Sequence, residues 1–170
     1  MTEKTRHKLD NVIAKFLDEY QPIYREIIDY AVSLGYTAKI NKNETYADFI
    51  KSKHGKIIMK IECGYKGSQI PRLNLRLDAM SSYEGIFRKA LEHRISFCQH
   101  CNRCHGSIGI KYVFPNGETG YVCSATIYLP DFRANDISAV KNALMIQDTF
   151  LMQISLDKNE ANDKVHIHDV

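Results

Sequence analysis

Cys98, Cys101 and Cys104 stand at three-residue intervals, C-x-x-C-x-x-C, and a fourth thiol follows at Cys123. A tight C-x-x-C turn presents two thiolates to one ion, and a tetrahedral zinc takes four such ligands at about 2.3 Å. His100 and His105 lie in the same stretch and can substitute for a thiolate. The stretch itself calls for a metal. From Ser96 to Gly109 it is mostly polar residues and glycine, with little to bury, so a bound ion supplies order that its side chains do not.

The intervening turn decides whether Cys123 reaches the other three. Asn116-Gly117 sits between the strand-like runs Ile110–Phe114 and Thr119–Thr126, a two-residue hairpin signal. With Asn116 and Gly117 at the centre of the turn, Cys123 faces Ile110, six positions beyond Cys104. The four thiols then converge. This layout, spanning about 26 residues, resembles the zinc-ribbon and rubredoxin style of metal site. The resemblance is local and implies a structural zinc held by Cys98, Cys101, Cys104 and Cys123.

Other chemistries use the same residues. Three cysteines at this spacing suit an iron–sulfur cluster, although the usual cysteine-proline partner is absent, since Ser124 follows Cys123. Cys98/Cys101 or Cys101/Cys104 can form a reactive dithiol, without the βαβ context of thioredoxin-like proteins. An open, labile site would serve metal sensing. Cys101 to His105 also matches the C-x-x-C-H haem attachment pattern, but that reading leaves Cys98 and Cys123 unexplained. Cys63 ends an apolar strand face and reads as a buried thiol.

The 170 residues carry 44% hydrophobic and 25% charged side chains, an ordinary globular balance that excludes a disordered, collagenous or disulfide-dense chain. No apolar run approaches 18 residues, and Met1-Thr2-Glu3-Lys4 leads into no apolar signal region, so the expected setting is the cytoplasm with no membrane partner. The net charge of +3 hides a segregation. Residues 1–50 carry 7 basic and 8 acidic groups, residues 51–111 carry 12 and 4, and residues 112–170 carry 4 and 8. The cationic middle third can meet an anionic partner or pack near the acidic C-terminal third.

The elements that must position these groups are legible as periodicities. Leu9, Val12, Ile13, Phe16, Leu17 and Tyr20 predict a helix over 3–19, and Pro22 opens a second that Gly35 ends. Tyr46–Lys53, Lys56–Cys63 and Arg72–Ala79 predict an antiparallel meander, with His54-Gly55 in a tight connection. Ser81 and Glu84 suggest a capping box before a helix with Ile86, Phe87, Ala90 and Leu91 inside. Asn135 or Asp136 caps a last helix that runs to Ile154, and residues 157–170 read as a disordered tail.

The expected architecture is one α+β domain over 1–156 with a metal module at about 97–126. On the polar side of its sheet Lys60, Arg72 and Arg76 make a candidate surface for an anionic or small-molecule partner. Cations beside aromatics also suit nucleic acid, although no RNP-type motif is present. Nucleophile-elbow, P-loop, dinucleotide and zinc-protease motifs are all missing, so the expectation is a non-catalytic binding or regulatory protein. The alternative is a redox protein built on a cluster or dithiol.

Overall fold

The computed structural model describes residues 1–64, 68–77, 79–80, 83–97, 110–113, 117, 119–122 and 126–165. Thr2 caps α1 (Glu3–Ile13), its side-chain oxygen accepting from the Thr5 N–H at 3.3 Å. The helix stops at Ile13, six residues short of the expected end. Tight turns replace its last stretch: the Phe16 N–H donates to the Ile13 carbonyl and the Tyr20 N–H to the Leu17 carbonyl, both at 2.9 Å. Leu9, Val12, Ile13, Phe16 and Tyr20 of the apolar stripe still point inward, Phe16 packing edge-on against Tyr24 at 5.1 Å, but Leu17 turns outward and is left exposed. Pro22 lies in the first turn of α2 (Gln21–Ser33), and Gly35 takes the left-handed conformation just beyond its end, at φ +89°.

Five strands form the main sheet: β1 (Thr37–Ile40), β2 (Tyr46–Ile50), β3 (Ile57–Glu62), β4 (Arg72–Leu75) and β7 (Ile127–Leu129). Their order is β1-β2-β3-β4-β7, antiparallel throughout. β5 (Ile110–Val113) and β6 (Thr119–Val122) make a separate hairpin. The first four strands are the expected meander with one more strand, β1, at its edge. The expected Thr119–Thr126 run contributes β6 alone, and β7 begins afresh at Ile127 to join the main sheet.

α3 (Ile86–Phe97) and α4 (Ile137–Val165) complete the α+β fold. Ser81 of the proposed capping box lies outside the described residues. The inner residues of α3 are as expected, with Ile86, Phe87, Ala90 and Leu91 buried. α4 continues to Val165, well past the start of the expected tail. No glycine or proline interrupts the sequence from Ala134 onward, and a Gln153–Asp157 hydrogen bond at 2.8 Å supports that stretch one turn apart.

One hydrophobic core joins all four helices to the apolar face of the sheet. Ala47 and Phe49, Met59 and Ile61, Leu73 and Leu75, and Ile127 and Leu129 supply that face. Each fully buried side chain of leucine size contributes about 1.5–3 kcal/mol. Strict alternation breaks once, at Ile58, which is fully buried although Lys60 and Glu62 share its parity. The pairs Phe49↔Met59 and Ile50↔Ile57 leave Ile58 as the extra residue of a bulge, and the added twist turns it inward. No helix among the described residues is long and apolar enough to cross a membrane.

Candidate metal module, polar sheet face and buried polar network

Cys98, Cys101, Cys104 and Cys123, with His100 and His105, lie outside the described residues. The elements that flank them are described. α3 ends at Phe97, one residue before Cys98, and β6 ends at Val122, one residue before Cys123. The hairpin register is Ile110↔Val122 through Val113↔Thr119, so Cys123 follows the residue opposite Ile110 and the sequence-derived register is corrected by one position. Five residues, an odd number, separate Val113 from Thr119 in this register, where the Asn-Gly signal predicts a two-residue turn. Gly117 takes the left-handed conformation there, at φ +85°. α3 packs against β6 and β7, so both chain ends that lead into the cysteine stretch are held by packed elements.

Among the described residues no three His, Cys, Asp or Glu side chains group as a metal site. Cys63, expected as a buried thiol, lies one residue past β3 and is only half-buried against the core; that burial still pushes its thiol above the usual range against the opposing charge of Lys15.

Lys60 and Arg72 do share the polar sheet face, and Arg76 continues the alternation of Arg72 and Asn74. The face is a mosaic. The Lys60 ammonium lies 2.9 Å from Glu62 Oε2 and 4.4 Å from the centre of the Tyr46 ring, with Asp48 directly across the strand pair. Arg72 sits opposite Glu62 and lies over the Tyr128 ring at 5.4 Å. The His93 ring on α3 meets Tyr128 from another side at 5.9 Å. Burial raises the Asp48 carboxyl, and Glu62 adds to that, against Lys60 and Lys39. The cationic segment is thus interleaved with carboxylates once strands from outside it are paired in.

A second polar cluster had no sequence signature. The Tyr36 hydroxyl, almost wholly buried, donates to Asp148 Oδ1 at 2.8 Å, and Lys51 Nζ lies 2.9 and 3.0 Å from the two Asp148 oxygens. His54 Nδ1 accepts the Lys56 N–H at 3.1 Å, which places the proton of the neutral ring on Nε2. Nε2 then donates to the Tyr36 oxygen at 3.1 Å, and the chain of bonds runs from His54 through Tyr36 to Asp148. Burial, then the hydrogen bond to Asp148 and its negative charge, hold the Tyr36 phenol far above its ordinary value. These bonds tie the start of β1 and the β2–β3 connection to α4. Ser155 adds a bond from α4 to the Lys53 carbonyl at 2.9 Å. Next to Asp148 on α4, the fully buried Gln147 accepts the Ala79 N–H at 3.0 Å.

His54 gives the network a pH dependence. Burial holds its pKa below the ordinary 6.5; Lys51, Arg76 and Lys56 act in the same direction and Asp148 opposes them. On acidification the unfolded chain takes up a proton first. Stability present above about pH 6.5 is therefore lost as the pH falls toward the lower folded value. Urea midpoints measured from about pH 7.5 to pH 5 should fall in the wild type, and His54→Gln should remove part of that slope. Identical slopes would place His54 in contact with solvent.

No family model, no curated protein and no solved structure matches the chain.

Proposed function

We propose that the chain is a zinc-stabilised, non-catalytic binding protein of a reducing compartment, the cytoplasm. Zinc is held by Cys98, Cys101, Cys104 and Cys123, and an anionic or small-molecule partner is met on the polar sheet face around Lys60, Arg72 and Arg76. The observation that carries the reading is the Ile110↔Val122 pair. Consecutive Cα atoms are 3.8 Å apart and Cys123 directly follows Val122, which supports its approach to a segment six residues beyond Cys104. α3 ends at Phe97, the residue before Cys98. The Arg72–Tyr128–His93 cluster lies on β4, β7 and α3, and so puts basic and aromatic groups beside the helix that leads into the module. Because Lys60 is already ion-paired, recognition there rests on directed bonds more than on bulk field, and partner affinity falls only gently with salt.

The test separates the four cysteines from the fifth. Cys123→Ser is expected to lower zinc retention sharply during dialysis, and Cys63→Ser to leave one zinc per chain. Equal retention in both variants would remove Cys123 from the ligand set.

A further inference from the structure

A cleft opens between β7 and the 68–71 segment, lined by Tyr20, Ile70, Pro71, Tyr128, Asp131 and Arg133, with Leu129 and Phe132 at its base. Its walls are built, not incidental. The Arg133 guanidinium carbon lies 4.9 Å from the centre of the Tyr20 ring, a cation–π contact that holds a multi-donor group at the cleft. The Arg133 backbone is pinned in turn, its N–H donating to Asp136 Oδ2 at 3.0 Å. Glu19 takes one of the guanidinium donors at 3.5 Å, in an exposed pair of the weak kind, and other donors remain.

Two positions back on the same turn, Asp131 holds the left-handed conformation, at φ +56°, which a residue with a side chain adopts at a cost. The opposite lip is apolar. Ile70 is 52% exposed and Leu17 39%, and the two segments are joined by the Leu17 N–H donating to the Gln69 carbonyl at 3.1 Å. A cation and an anion two positions apart on one turn thus line the same cleft as the exposed Ile70.

The geometry points to a binding site for a free α-amino acid with an aliphatic side chain, its carboxylate on Arg133, its ammonium on Asp131 and its side chain against Ile70 and Pro71. Both charges of such a ligand sit on one carbon, which distinguishes it from the terminus of a peptide. The site uses described residues alone and stands apart from the zinc reading, so metal content is unaffected by its failure.

The test titrates the full chain with L-leucine, with 4-methylpentanoate, which lacks the ammonium, and with isoamylamine, which lacks the carboxylate. Backbone amide shifts of Ile70, Tyr128, Asp131 and Arg133 report binding. Saturable shifts with leucine are expected, with each half-ligand weaker by at least about tenfold. Arg133→Met keeps the stem over Tyr20 and Asp131→Asn keeps the turn, and each should weaken leucine by a similar factor with an unchanged melting temperature. Half-ligands that bind as well as leucine, leucine binding that survives both substitutions, or no saturable shift at millimolar leucine would each overturn the assignment.

Discussion

Asp148→Ala is expected to lower the stability of the fold by about 2–4 kcal/mol. The carboxylate is the hub of the buried network: it accepts from the Tyr36 hydroxyl at 2.8 Å and holds Lys51 at 2.9 Å. The side chains of Lys51 and Asp148 are only 15% and 13% exposed, so removing the carboxylate strands an ammonium where water replaces it poorly. The Tyr36 hydroxyl loses its acceptor in the same step and keeps only His54. Asp148→Asn keeps an acceptor for Tyr36 but no charge for Lys51, and should lie between wild type and Asp148→Ala. Tyr36→Phe alone should cost about 1–2 kcal/mol. Combined with Asp148→Ala it should cost less than the sum, since the two share one bond. Urea unfolding reads all of these as midpoint shifts at constant slope. A loss under about 0.5 kcal/mol for Asp148→Ala would mean that solvent substitutes for the carboxylate, as at an ordinary surface pair.

The second large effect is expected on stripping the proposed zinc. Structural zinc in small modules contributes about 10–16 kcal/mol of apparent binding free energy at neutral pH, most of it spent on ordering its own segment. Here the body has a core of its own, built by all four helices and the five-stranded sheet. Chelation is therefore expected to act locally. Four thiols should become rapidly reactive as one zinc is released, while the Cys63 thiol, half-buried and raised in pKa, reacts slowly with or without metal. The main unfolding transition should survive, displaced to lower temperature by loss of the packing between α3 and the β5–β6 hairpin. Five thiols reacting at one rate before and after chelation would contradict the four-and-one division.

The parts of the fold visible in the sequence were those carried by periodicity over many residues. The inner face of α3 and the alternation of β4 fall in this class, because each repeats one burial signal several times. β1 escaped because Thr37–Ile40 is four residues long and only half-covered. The inward turn of Ile58 escaped because a bulge is an exception to period two with no composition of its own. The hairpin register missed by one because Asn-Gly is shared by two-residue and odd-numbered connections.

The two polar sites differ in the same way. The cysteine spacing is local, so it is readable in the chain, and the described hairpin ends at Val122, one residue before Cys123. The Tyr36–His54–Asp148 network joins residues as far as 112 positions apart, and none has an unusual neighbour in sequence. The cationic middle third was a correct count of charges. Its meaning changed when β2 brought Asp48 across from Lys60 and β3 brought Glu62 across from Arg72.

Elemental analysis with a visible spectrum, on protein purified under reducing and chelator-free conditions, tests the zinc assignment most directly. One zinc per chain in a colourless solution is the expected result. Absence of stoichiometric metal would contradict it outright, and a brown solution with iron charge-transfer bands would replace the structural zinc with a redox cluster on the same thiols.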